Sequence, residues 1–156
     1  MLASFIAVSF ISTLLIAATS MLTYEILRCV WNLLPKLHVM PRLRVLILLA
    51  PIFGAHMLNI WLYAVTYFLL ENFTDFGTLT GNIAVAELSY NSFLERLYFS
   101  SSTYASLGLG DIVPSRDLRM LASAEVLNGL VMIGWSISIT YLAMERFWSS
   151  PHRRDK

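Results

Sequence analysis

Three stretches of this chain are apolar for longer than a soluble core requires, and a fourth is apolar but short. Residues 2–27 carry one charge, Glu25, close to the end. Residues 43–70 have no charged side chain after Arg44, and only His56 and Asn59 interrupt them as strongly polar positions. Residues 118–148 hold Glu125 in their upper part and close on Glu145 and Arg146. A membrane-crossing helix needs about 20 mostly apolar residues, so each stretch predicts a transmembrane helix. Residues 93–105 are too few to cross a bilayer but enough for a half-helix. Non-helical backbone at membrane depth survives only where protein or a water-filled cavity shields it. A half-helix leading into a glycine-rich turn therefore predicts a segment that enters the membrane and leaves on the same side.

Charge sets the expected orientation. The linker between the first two spans holds Arg28, Lys36, Arg42 and Arg44, with Pro35 and Pro41 interrupting any continuous helix. The segment after the third span reads Pro151-His152-Arg153-Arg154-Asp155-Lys156, while Glu71, Asp75, Glu87 and Glu95 face a single Arg96 before and within the half-helix. Basic flanks mark the cytoplasmic side. The half-helix loop and the N-terminus are thus expected outside and the C-terminus in the cytoplasm, in the plasma (cell inner) membrane. No Lys or Arg precedes the first apolar run and positive charge follows it, so we expect an outward-facing anchor and not a cleaved signal.

Composition agrees and narrows the classes. The 156 residues are 57% hydrophobic and 13% charged, with mean hydropathy +0.66, outside the range of ordinary soluble domains. A net charge of +1 without a basic run gives no reason to expect nucleic acid. The single cysteine, Cys29, has no intrachain partner and no metal-ligand company, and reads as a small apolar side chain in a helix. Asn72-Phe73-Thr74 matches a glycosylation sequon, a triplet that arises often by chance.

The most demanding motif lies between the half-helix and the third span: Thr103-Tyr104-Ala105-Ser106-Leu107-Gly108-Leu109-Gly110-Asp111-Ile112-Val113-Pro114. A row of backbone carbonyls can face a dehydrated cation only if successive peptides alternate in hand. Glycine enters the left-handed region without a Cβ penalty, so glycine at every second position permits that alternation. The alternative reading of these residues alone is a glycine-rich turn joining two helices.

The hexapeptide Ser106-Leu107-Gly108-Leu109-Gly110-Asp111 resembles the T-V-G-Y-G-D selectivity filter of the potassium-channel superfamily. The resemblance covers residues 43–148 as outer helix (43–70), outer acidic loop (71–92), pore helix (93–105), filter (106–111) and inner helix (118–148). Residues 1–42 add an extra N-terminal span with a basic linker, and 149–156 a short basic tail. It implies an all-α membrane protein in which three transmembrane helices and a re-entrant pore helix build a tetrameric pore. Potassium ions would bind at the carbonyls of Ser106, Leu107, Gly108, Leu109 and Gly110, with Asp111 at the outer mouth. No cofactor beyond the permeant ion is implied. Gly129 and Gly134 occupy the two positions where inner helices of this family carry glycine, with one residue deleted in the turn after Pro114. Each reads as a gating hinge or as a close packing point. By the same alignment Leu130, Ile133 and Ile137 line the cavity below the filter.

Two residues depart from the family pattern. Leu109 stands where an aromatic is usual, so it offers no side-chain hydrogen bond to brace the filter, and the pore-helix tryptophans that often receive such a bond are absent, with Tyr98 and Phe99 nearby. Leucine there resembles the second pore repeat of two-pore potassium channels, where it alternates with aromatic repeats. Ser106 replaces the more usual threonine. Both weaken the expectation of strict potassium selectivity while keeping that of cation conduction.

Polar residues inside spans are costly and are functional candidates by default. Glu125 and Asn128 share a face of the third span, and His56 and Asn59 share a face of the second. Either these pairs meet, or Glu125 bonds the hydroxyls of Ser100, Ser101, Ser102 or Thr103 behind the filter, as a structural contact or as a coupling of protonation to filter stability. Asp111 is expected both to attract cations and to cap or salt-bridge locally, for instance with Arg116 or Arg119. The acidic loop would raise local cation concentration modestly.

The expected function is passive conduction of monovalent cations, potassium foremost, by a homotetramer in lipid. The alternatives are a non-selective monovalent cation channel and a non-conducting pore-loop scaffold or regulatory subunit. In the latter, Ser9, Ser12, Thr19, Ser20 and Thr23 would form a partner-binding helix, although small hydroxyl residues also make packing surface. No arginine ladder and no nucleotide or calcium motif indicates a gate, which leaves the spans, lipid, pH or a regulatory subunit. His56, Glu125 and His38 form no enzyme motif of the H-E-x-x-H, nucleophile-elbow or cysteine–histidine type, so no enzyme activity is expected.

Overall fold

The computed structural model describes residues 2–36, 38–81 and 89–148. The expectations for Glu87, within residues 82–88, and for the tail at 149–156 lie outside the described residues. Four helices make the fold: α1 (Leu2–Leu33), α2 (Pro41–Phe73), α3 (Ser89–Tyr104) and α4 (Leu118–Trp148). α1, α2 and α4 are each long and apolar enough to cross a membrane. α3, at 16 residues, is about 24 Å long and falls short of the hydrocarbon thickness. The chain is an all-α membrane protein of three spanning helices and one half-helix.

Local chemistry sets the helix ends. A 3-10 turn at Leu34–Lys36, containing Pro35, closes α1, and Pro41 opens α2 at its first turn. Proline is suited there because the N–H it lacks would have had no partner. α2 runs three residues beyond the expected end at 70. It stops where Thr74 turns extended and its N–H and hydroxyl both return to the Leu70 carbonyl. Pro51 lies inside α2 without ending it, as spanning helices tolerate when neighbours re-satisfy the backbone.

One element was not expected. Strands β1 (Leu79–Gly81) and β2 (Ile112–Pro114) pair antiparallel, with Leu79 opposite Pro114, Thr80 opposite Val113 and Gly81 opposite Ile112. This ladder ties the loop before α3 to the chain leaving the glycine motif.

The core runs in three layers along the helices. At the glycine-motif end, Tyr63, Tyr67, Leu70, Phe99, Ile112, Leu118 and Leu121 pack with Val8 of α1. Ile60, Tyr104 and Met132 form the middle layer. Leu27, Leu34, Leu48, Ile52 and Ala143 close the far end. Outside this core the helices present large apolar side chains, among them Phe10, Met21, Phe53, Leu127 and Val131. Exposure on that scale marks surface that lipid or other protein covers. Several α1 hydroxyls are satisfied within the helix: Ser9, Ser12 and Thr13 donate to carbonyls four residues back.

Candidate functional site

The half-helix α3 ends by turning its last peptides over into the glycine motif. Leu107 N–H bonds the Ser102 carbonyl at 2.8 Å and Ser106 N–H bonds that of Thr103 at 2.9 Å. This bond pair is the Schellman stop, whose closing residue is left-handed and usually glycine. Here that residue is Ser106, at φ 59°. Gly108 follows at φ 56° and Gly110 at φ 78°, so the left-handed conformation recurs at every second residue from 106 to 110. A Cβ built on Gly108 or Gly110 would meet nothing within 4 Å. The sign of φ, and not crowding, is what calls for glycine at these two positions. Leu107 and Leu109 point away from the subunit and are exposed.

Beyond the motif the chain is held from several sides. Tyr98 on α3 donates its phenol proton to Asp111 Oδ2 at 2.7 Å, and Asp111 Oδ1 accepts the Ile112 N–H at 3.1 Å. Accepting that proton holds the Tyr98 phenol above its ordinary pKa. Arg116 and Arg119, expected as partners of Asp111, go elsewhere: Arg116 donates to the Asp75 carbonyl and Arg119 to the Pro114 carbonyl. Arg116 is left-handed (φ 47°), part of a turn in which Asp117 N–H bonds the Phe76 carbonyl. The brace that Leu109 lacks is therefore supplied one step outward, between Tyr98 and Asp111.

The acidic loop is also less free than its composition suggests. Arg96 bonds Glu71 at 2.7 Å and Glu95 at 2.9 Å, and Glu71 additionally accepts the Leu79 N–H at 3.0 Å. Glu71 thus anchors α3 to the end of α2, Glu95 pairs with its neighbour Arg96 on α3 itself, and both carboxylates are partly neutralised.

A family model described as an ion channel matches residues 55–146. That range takes in most of α2, the half-helix, the glycine motif and nearly all of α4. The chain belongs to this ion-channel family. It is a small pore-loop subunit of the two-span, potassium-channel-like kind, with one additional apolar helix ahead of the matched region. Comparison with curated proteins and with solved structures returned no match.

Behind the channel's glycine motif, polar side chains from all four helices meet in a buried ladder. At the top, Glu125 accepts from Ser100 (2.5 Å) and from Tyr67 (2.7 Å). One step down, Asn128 donates to Thr19 of α1 at 2.8 Å and to Tyr63 at 3.1 Å. Below that, Asn59 donates to Thr23 of α1 at 3.0 Å and to the Tyr104 phenol at 3.2 Å. His56 closes the series, with Nδ1 at 3.0 Å from the Tyr104 phenol and Nε2 at 3.0 Å from Ser136 of α4. Glu125, Asn59, Tyr63, Tyr67, Ser100, Thr19 and Thr23 are fully buried.

The two intramembrane pairs do not bond each other. Tyrosines of α2 and α3 and threonines of α1 stand between them, and of the hydroxyls considered for Glu125 the structure selects Ser100. Sequence reasoning passed over Tyr63, Tyr67 and Tyr104. The signal was present, since positions 56, 59, 63 and 67 fall on one helical face. The ladder gives each of these four costly polar positions at least one partner, as a low-dielectric interior demands, although Asn59 Oδ1 has none among the described residues.

The two α4 glycines separate clearly. A Cβ on Gly129 would run into the Tyr104 carbonyl, whereas one on Gly134 would meet nothing within 4 Å. α4 continues as helix through both. Leu130 and Ile137 are exposed on the face that also carries Gly134. Ile133 and Ile137 line an open groove of about 550 Å³ with His56, Tyr104 and Ala105.

Proposed function

We propose that four copies of this chain surround a central axis, and that the main-chain carbonyls of Ser106, Leu107, Gly108, Leu109 and Gly110 pass dehydrated monovalent cations, potassium foremost. The observation that carries the reading is the left-handed backbone at 106, 108 and 110 directly after a half-helix. A single loop cannot enclose an ion, and closed cyclic symmetry is the ordinary way to repeat one. In such an assembly the exposed Leu107 and Leu109 would pack on neighbouring subunits, and Leu130, Ile133 and Ile137 would face an apolar cavity able to close by dewetting. Asp111, held by Tyr98, would place a ring of four carboxylates at the outer mouth. The pore loop and N-terminus lie outside and the C-terminus in the cytoplasm of the plasma membrane, by the distribution of Lys and Arg. Lipid and identical subunits are the partners of this reading, and an unidentified regulatory subunit is one route to gating. Transport is passive, with no catalytic step and no cofactor beyond the permeant ion.

The test is the reversal potential of the purified protein in a planar bilayer under a potassium/sodium bi-ionic gradient. Reversal near the potassium limit is the expected result. Reversal near zero would make this a non-selective monovalent cation channel, a reading favoured by the unbraced Leu109. No current would turn the assignment towards a non-conducting scaffold.

A further inference from the structure

α1 lies ahead of the matched residues, yet its buried Thr23 bonds Asn59, the side chain that also holds the last residue of the half-helix. We propose that α1 is a working part of the conduction unit and that Thr23 is a positioning residue for the filter, acting through Asn59 and Tyr104. The inference rests on the reading of residues 106–110 as a filter.

Tyr104 is the last residue of α3 and stands two positions before left-handed Ser106. Its phenol is bonded to Asn59 and His56 of α2, and its carbonyl backs directly onto Gly129 of α4. Where Tyr104 sits therefore decides where the filter begins. Asn59 spends one amide N–H on Tyr104 and the other on Thr23. In this orientation the phenol accepts from Asn59 and has one proton of its own. That proton goes to His56 Nδ1, which leaves Nε2–H to donate to Ser136 Oγ. A continuous run of hydrogen-bonding side chains joins Thr23 of α1 through Asn59, Tyr104 and His56 to Ser136 of α4.

Without the Thr23 hydroxyl, one N–H of a fully buried amide loses its acceptor. The amide can recover a partner only by rotating, which withdraws its other N–H from Tyr104 and resets the phenol and the imidazole. Packing alone does not require this hydroxyl, because valine has nearly the same shape. α1 also has its own way of satisfying hydroxyls, as Ser9, Ser12 and Thr13 show by bonding carbonyls four residues back. The bond from Asn59 instead crosses between helices. Thr19 does both, donating within α1 and accepting from Asn128, and so fixes α1 to α4 one layer higher.

The experiment compares full-length Thr23→Val and Thr23→Ser with wild type in planar bilayers under a potassium/sodium bi-ionic gradient, with subunit assembly checked by size-exclusion chromatography and melting recorded in potassium and in sodium. Thr23→Val is expected to assemble and to lose about threefold or more of the wild-type potassium-to-sodium permeability ratio, in line with the strength of one hydrogen bond between membrane helices. Thr23→Ser is expected to keep the wild-type ratio, which separates the hydroxyl from the bulk of the side chain. A Thr23→Val channel as selective as wild type overturns the inference. If Thr23→Val does not assemble, Thr23→Ala and Tyr104→Phe are read in the same way, and an unchanged ratio in both overturns it. A wild type that passes no current and melts alike in both salts fails the filter reading itself. A selective wild type matched by Thr23→Val fails only the role of α1.

Discussion

Gly129 of α4 lies against the main-chain carbonyl of Tyr104, so closely that no side chain fits between them. The contact joins α4 to the residue that ends the half-helix, and it gives Gly129 a packing role that the open surroundings of Gly134 do not share. Gly129→Ala is expected to cost about 1–3 kcal/mol of stability, the usual range for overpacking a well-packed contact. Gly134→Ala should leave thermal stability equal or raised, since alanine favours helix over glycine by up to about 1 kcal/mol. Melting of the two purified variants beside wild type checks the contrast.

Ser106 is left-handed at φ 59°, and this accounts for a residue that departs from the usual threonine. A β-branched side chain at positive φ is a conformational outlier. Ser106→Thr is therefore expected to destabilise by about 1–2 kcal/mol, and Ser106→Gly to be neutral or to stabilise by up to about 1 kcal/mol. Melting in potassium measures both, and a threonine variant as stable as wild type would argue against a left-handed residue here.

The Glu71–Arg96 pair, with only about a tenth of each side chain exposed, ties the end of α2 to α3, while Glu71 also accepts the Leu79 N–H. Removing one member leaves a poorly solvated charge behind. Arg96→Gln is expected to destabilise by about 1–3 kcal/mol, more than Arg28→Gln, whose pairing with Glu25 is exposed and weak. Melting of the two single variants in one buffer gives the comparison.

Glu125 accepts hydrogen bonds from Ser100 and Tyr67 in the buried layer behind the glycine motif. Glu125→Gln keeps an oxygen acceptor there, and its current is expected to follow pH as wild type does. Current that varies with pH in wild type and not in Glu125→Gln would instead make this carboxyl a proton sensor. Glu125→Ala leaves the buried Tyr67 phenol without its acceptor, while Ser100 keeps the Ile60 carbonyl at 2.9 Å, and should lower the melting temperature while Glu125→Gln largely preserves it.

The spans and the half-helix could be read directly from the chain. Long apolar runs have few alternatives in a membrane, because every backbone group there must find its partner within a helix. Gly108 and Gly110 were equally legible, since alternating left-handed backbone leaves little choice of residue. Arg116 and Arg119 stood as possible local partners of Asp111, whereas the turn holding Arg116 and the start of α4 holding Arg119 follow the pairing of β1 with β2, elements too short to show any periodicity.

The polar ladder was visible only in its members. His56, Asn59, Glu125 and Asn128 stood out as expensive residues in apolar runs, while Tyr63, Tyr67 and Tyr104 passed as ordinary aromatics because their rings suit lipid as well as protein. Hydropathy and spacing are properties of one helix at a time, and they settle which segments enter the membrane. A hydrogen bond between helices depends on the depth and rotation of both partners. Those are set by packing of α1, α2 and α4 around the half-helix, so only the folded chain brings Thr23 to Asn59 and Asn59 to Tyr104.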